Sequence, residues 1–267
     1  MRPLVLTTLK QRRLQVAAYC LGGLAAIWMY VSIYPSMAAQ VGTYNELVKS
    51  MPQSLMKAFG ADKFGLTNFE SLIGTKQYGF LWPLLLIFLM VSLAGNALAG
   101  EIEKTTIGLW LAAPVSRMKI FWSKYAAGLL ALLLFLIFSV LAVLPIAAAY
   151  NVEVSSRDIV LLALVGGLLG WAVFAIAMLA SSIFSEKAKA YGLVSVILVV
   201  MYVLNLISGL NDKLVNLKYA SFFYYYNVTD LLTGGPVMGW SLVVFGATII
   251  ICTAVGAVIF SRRDISI

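Results

Sequence analysis

The sequence predicts an all-α integral membrane protein with six transmembrane helices, and three observations carry that prediction. Hydrophobic residues make up 62% of the 267-residue chain and charged residues 11%, and the mean hydropathy is +0.95. A soluble domain carries about 25% charged residues. Six stretches stay apolar over the ~20 residues a helix needs to cross ~30 Å of hydrocarbon with its own backbone satisfied. They are 14–38, 80–99, 126–149, 159–184, 191–210 and 240–260, and they make residues 1–267 a single membrane domain. The polar connections between them then place most bases on one side.

The first span, lightly interrupted by Gln15, Ser32 and Pro35, is longer than the 7–15 apolar residues of a cleavable signal and reads as an uncleaved anchor. Ahead of it, residues 1–13 carry Leu4, Val5, Leu6 and Leu9 among bases. This lead-in is either a surface-lying segment with its bases on anionic headgroups or a frayed basic tail. Residues 40–79 space Leu47, Met51, Leu55, Met56 and Phe59 at helical intervals despite Pro52. Unstructured loops of that length are uncommon, so short amphipathic helices are expected on the outer side, as a lid or in contact with substrate.

In the fourth span, Gly166-Gly-Leu-Leu-Gly170 allows a close helix approach, within the chain or at a dimer seam. Residues 185–190 permit only a tight turn. Residues 214–239 are too polar to span, yet contain five consecutive aromatics, Phe222, Phe223, Tyr224, Tyr225 and Tyr226. Such rings are expected at a headgroup interface on the outer side. Asn227-Val-Thr229 matches a glycosylation sequon at three positions only.

Six spans put both termini on one side. That side holds twelve bases, among them Arg12, Arg13, Lys104, Arg117, Lys124 and Arg263, against the four acids Glu101, Glu103, Glu186 and Asp264. The opposite side holds seven of each, so the whole +8 charge lies on one face. The count of Lys and Arg in short loops places both termini in the cytoplasm, with the chain in the cell inner membrane. It also accounts for the basic pI without nucleic acid as a partner.

Several chemistries lack their residues. The chain has no histidine, the commonest general base and metal ligand. Cys20 and Cys252 both fall inside spans, as small buried hydrophobes. Ser92, Asn96, Ser139, Ser195, Asn205 and Ser208 read as helix–helix hydrogen-bonding groups, with no catalytic set and no metal or cofactor site among them. Gly95-x-x-x-x-Gly100 has the spacing of a phosphate loop, but Glu101 stands where the lysine is needed. Any ATP must be bound by another subunit.

The remaining signal is the polar break at residues 100–124. It carries Glu101, Glu103, Lys104, Arg117, Lys119 and Lys124 around an apolar run. A short helix over 105–113 would set Ile107 and Leu111 on one face with Trp110 nearby, and Pro114 would end it. On the residues alone this is equally a coupling element or an ordinary amphipathic connector.

The pattern resembles the cytoplasmic coupling segment of ABC type-2 transporter permeases. Glu101, Glu103, Lys104, Thr105, Leu109, Leu111, Pro114, Val115, Ser116, Arg117 and Lys124 stand where that family places similar residues, and residues 218–235 look like its aromatic segment before the last span. The resemblance implies the permease subunit of an ATP-driven exporter, a homodimer or a heterodimer with a second permease. Two ATPase subunits, holding ATP and Mg, would dock at 100–117. Ile107, Trp110 and Leu111 would be the apolar contacts, Pro114 the helix stop, and Glu101, Glu103 and Arg117, with Lys104 beside them, would hold register by ion pairs. Few charges in the spans suit an amphipathic or lipid-like cargo: a drug, a peptide or a lipid-linked molecule. A non-transporting scaffold or immunity protein remains as an alternative, as does a secondary transporter, which would show internal repeats.

Overall fold

The computed structural model describes residues 2–38, 69, 73–108, 115–210, 212–232 and 239–264. They are almost entirely helical, with no strand among them. Helix α1 covers Arg2–Ala38, and a π-helical segment, Ile73–Leu81, leads into α2, Trp82–Ala97. After a break at Leu98 comes the short α3, Ala99–Glu103. Helix α4, Arg117–Leu136, passes through a second π segment, Ile137–Leu141, into α5, Val143–Ala149. Helices α6, Ser156–Ile183, and α7, Lys187–Leu210, follow. A 3₁₀ stretch Asp212–Ala220, the short α8, Phe222–Tyr225, and α9, Val228–Leu232, precede α10, Gly239–Arg262.

Six helical stretches among the described residues are long and apolar enough to cross a membrane: Leu4–Tyr34, Gln77–Ala97, Arg117–Ala149, Ser156–Ile183, Lys187–Leu210 and Gly239–Arg262. All six predicted spans are present, but several begin earlier. Hydropathy marks where hydrocarbon begins, whereas a helix continues as long as its backbone bonds do. The basic lead-in is accordingly neither a separate surface segment nor a frayed tail. From Arg2 it is continuous with α1. The amphipathic helices expected within 40–79 lie outside the described residues, apart from Phe69 and the π segment.

Local sequence sets the ends. Ser116 caps α4, its hydroxyl accepting from the Lys119 N–H at 3.3 Å, and Ser155 caps α6 by accepting from Asp158 N–H at 3.4 Å. Asn227 caps α9 in the same way, accepting from Asp230 N–H at 3.3 Å while its own amide donates to the Asp230 carboxylate at 2.6 Å. The sequon match is therefore a helix cap.

Helix α6 is the centre of the bundle and packs most extensively on α10 and α2. Its glycines admit larger neighbours: a Cβ on Gly166 would stand 2.7 Å from the Trp82 ring, and one on Gly170 would stand 2.8 Å from Leu132 and 2.9 Å from Leu86. The Gly166–Gly170 face thus serves packing within the chain. The five-aromatic run also turns inward, with Phe222, Tyr225 and Tyr226 buried and Phe223 and Tyr224 half-buried. Phe222 and Tyr225 meet Phe245 of α10 edge-on.

Candidate functional site

The start of α1 and the end of α10 lie at one end of the bundle, here the terminal face, and the polar break after α2 lies there too, with Arg12 beside Glu101 and Arg117 bonded to Arg263. The Glu101 carboxylate of α3 and the Lys124 ammonium, two turns into α4, form a salt bridge through Oε1. Both residues are almost fully buried, at 9% and 3% exposure. Removing one member of such a pair leaves an uncompensated charge in a low-dielectric site and costs about 3–5 kcal/mol. The other carboxylate oxygen, Oε2, has no hydrogen-bond partner among the described residues. Nearby is a cavity of about 20 Å³, room for a water, lined by Thr8, Gln11, Arg12, Asn96, Glu101 and Lys124. Arg12 of α1 therefore reaches the same spot as the α3–α4 pair.

Two further ties fix α3, and a turn ends it. The Ala99 N–H, one of the free donors at its start, donates to the Ser181 hydroxyl of α6 at 2.9 Å. Glu103 accepts from the backbone N–H of Lys187 at 2.8 Å, closing the start of α7. Thr105 then takes a left-handed conformation, φ 57°, which turns the chain immediately after α3. α3 ends at Glu103 and Lys104–Thr106 is a turn, so the helix expected from about Thr105 starts at Ile107; Ile107 and Gly108 are helical, and 109–113 lie outside the described residues.

Ile107, expected as an outward contact, is 1% exposed and packs into the bundle core. Trp110, Leu111 and Pro114 lie outside the described residues. Lys104 is exposed on the turn. Arg117 does not pair with an acid among the described residues; its guanidinium donates to the Arg263 carbonyl. Of the three residues expected to form ion pairs here, Glu101 does so, Glu103 caps a helix and Arg117 grips the C-terminal backbone.

Arg263 is a residue the sequence reading passed over. Its guanidinium donates to the carbonyls of Ser182 and Phe184, each at 3.0 Å, and to the Ser185 hydroxyl. Burial lowers its pKa from the ordinary arginine value. It ties the chain's last helix to the turn between α6 and α7, and Arg117 ties the start of α4 to the same point. Its signal was position alone, two adjacent bases at the end of a span.

A second polar cluster crosses the bundle one turn above the break. Asn96 donates to the Tyr191 hydroxyl at 2.7 Å and to the Ser92 carbonyl at 2.8 Å, while Gln15 of α1 donates to the Ser92 hydroxyl at 2.8 Å. A Cβ on Gly95 would meet the Tyr191 ring at 2.1 Å. Of the six intramembrane polar residues singled out in the sequence, Ser92, Asn96 and Ser139 do bond between helices. Ser208 instead donates to the Asn205 carbonyl within α7, at 2.7 Å.

At the far face, the phenol of Tyr78 donates to the Ser139 carbonyl at 3.1 Å, and Trp82 Nε1 donates to the Ser139 hydroxyl at 2.8 Å. Trp82 stacks between Phe135 and Tyr226, with ring centroids 5.8 and 5.9 Å away. Burial, with Tyr78 beside it, holds the Tyr226 phenol well above its ordinary pKa, and the neutral hydroxyl donates to the Tyr78 carbonyl at 3.3 Å.

Six apolar spans whose polar break is ion-paired and capped into the helix bundle define a multi-pass membrane protein with a helix-linked joint at one face. Residues 5–265 match the family model described as ABC-2 family transporter protein, and the chain belongs to that family. It is a membrane transport component, the permease of an ABC transporter. The search of curated proteins found no match.

Proposed function

We propose that the chain is the permease subunit of an ATP-driven exporter and that residues 100–117 receive the motion of a separate ATPase subunit at the cytoplasmic face. The observation that carries the reading is the attachment of α3. One five-residue helix is bound to α4 through Glu101, to α6 through Ala99 and to α7 through Glu103. A push on such an element is distributed to three spans at once.

Two ATPase subunits, each with ATP and Mg, would serve a pair of permeases, either two copies of this chain or this chain with a similar one. Glu101, Glu103, Lys104, Arg117 and the apolar Trp110 and Leu111 with Pro114 belong to that joint. With Ile107 turned inward, the apolar contact with the ATPase rests on the following residues. The scarcity of charge within the spans supports an amphipathic or lipid-like cargo.

Purification of the tagged chain in mild detergent, with mass spectrometry and an ATPase assay, tests the reading. A P-loop ATPase is expected to co-purify, and Trp110→Ala is expected to release it or to uncouple its turnover from transport. A chain that purifies alone, with no ATPase captured by crosslinking in native membranes, overturns the proposal in favour of a non-transporting scaffold.

A further inference from the structure

Gln77 is fully buried, yet neither its Oε1 nor its Nε2 has a hydrogen-bond partner among the described residues. A side-chain amide offers two donors and an acceptor with two lone pairs, and buried amides almost always find partners. Because Gln77 has no exposure in the single chain, a second permease, a lipid headgroup or a soluble subunit cannot reach it while the surrounding helices stay closed. Only a group admitted to the interior can satisfy it.

The backbone around Gln77 is unusual as well. It belongs to the π segment Ile73–Leu81, and π turns recur at functional sites. This segment meets the other π segment, Ile137–Leu141, through Tyr78 and Trp82 on Ser139. Tyr226 then fastens the α8–α9 connection over the same turn by its bond to the Tyr78 carbonyl. The turn is closed tightly, since a Cβ on Gly79 would stand 2.8 Å from the Gly74 carbonyl oxygen. Two π segments joined by two hydrogen bonds between neutral groups are a place where helices separate without breaking an ion pair among the described residues.

We infer that Gln77 is a hydrogen-bonding site at the outer mouth of the export path, for an uncharged cargo group that both donates and accepts, a hydroxyl or an amide. The inference rests on the exporter reading above. In the closed bundle the amide is sealed; when the two π segments part, it faces the path and takes the polar group of the departing cargo. Tyr78, Ser139 and Tyr226, which bond around the turn, are neutral, and a neutral group with both a donor and an acceptor matches the amide.

The test uses the permease–ATPase complex in right-side-out vesicles, with Cys20→Ala and Cys252→Ala as background and Gln77→Cys added. Two membrane-impermeant methanethiosulfonates are applied from outside, one anionic (sulfonatoethyl) and one neutral and hydroxylated (glucosyl), with rates normalised to a free thiol. Labelling is expected only during ATP turnover, with the neutral reagent about tenfold faster. Turnover without labelling overturns the inference and leaves the exporter reading standing. Equal rates for the two reagents overturn the assigned cargo class. Absence of an associated ATPase removes the exporter reading itself. Gln77→Leu supplies an independent arm: its Tm in detergent is expected to hold or rise, because unmet polar atoms are removed. A fall of several degrees would show that the amide supports the fold, and would overturn the inference.

Discussion

Glu103 and Lys187 stand 84 positions apart, yet the carboxylate of one lies 2.8 Å from the backbone nitrogen of the other. The first N–H groups of a helix have no partner within it, and its N-terminus carries partial positive charge. Glu103 answers both at the start of α7. Glu103→Ala is expected to lower stability by about 1 kcal/mol, and Glu103→Gln by less, because the amide still accepts the bond without the charge. Thermal unfolding of the two variants in detergent checks the order. If Gln is as harmful as Ala, the cap is not what Glu103 contributes.

The Glu101–Lys124 pair makes a different demand. Glu101→Leu alone takes the carboxylate from the buried Lys124 ammonium, and Lys124→Met alone takes the ammonium from the buried carboxylate. Each is expected to cost about 3–5 kcal/mol, whereas the double variant recovers most of the loss. A double-mutant cycle on Tm and folded yield measures the coupling. Additive losses would mean that the two side chains act separately.

Glycine positions along the spans should separate into two kinds. A Cβ on Gly128 would lie 2.1 Å from the ring of Phe174, which is 1% exposed. Gly128→Ala is expected to cost about 1–3 kcal/mol through overpacking between α4 and α6. Nothing lies within 4 Å of a Cβ on Gly246, so Gly246→Ala is expected to be neutral or slightly stabilising in its helix. Comparing the two melting temperatures in one detergent is sufficient.

Arg263→Ala removes the donors to the Ser182 and Phe184 carbonyls and to the Ser185 hydroxyl together. Faster proteolysis at the α6–α7 turn is expected, along with a lower Tm. Arg263→Lys is expected to restore little of either, because a compact ammonium cannot reproduce the planar fork that reaches several acceptors at once. Full rescue by lysine would reduce the residue's role to its charge.

The six spans were legible because hydrocarbon thickness imposes a length that composition displays directly. The partners of the joint were not. Glu101 and Lys124 could be recognised as charges flanking a break, but their pairing depends on where α3 stops, and that is set by the left-handed turn at Thr105. Glu103 could not be read as a cap for α7, because caps that act across the fold leave no local signal. The Asn227–Asp230 cap did leave one, an Asn three residues before an Asp, which the overlapping sequon obscured. Gln77 was assigned to a loop because one amide and the neighbouring Lys76 lowered the hydropathy there. Ile107 was expected on an outward helical face; it is helical, but the left-handed turn at Thr105 redirects the chain just before it, and its side chain faces the bundle core.

At ~1.5 Å per residue, the 37 residues of α1 extend about 55 Å, nearly twice the ~30 Å of a hydrocarbon core. At the ~20° average tilt of a membrane helix, such a core takes about 32 Å of helix, so part of α1 extends past the hydrocarbon. Arg12, near the start of α1, borders the cavity shared with Glu101 and Lys124. Membrane thickness sets how far a helix leans, so a thicker or thinner bilayer is expected to move Arg12 relative to the Glu101–Lys124 pair, and the surrounding lipid thereby to reach a buried charge site.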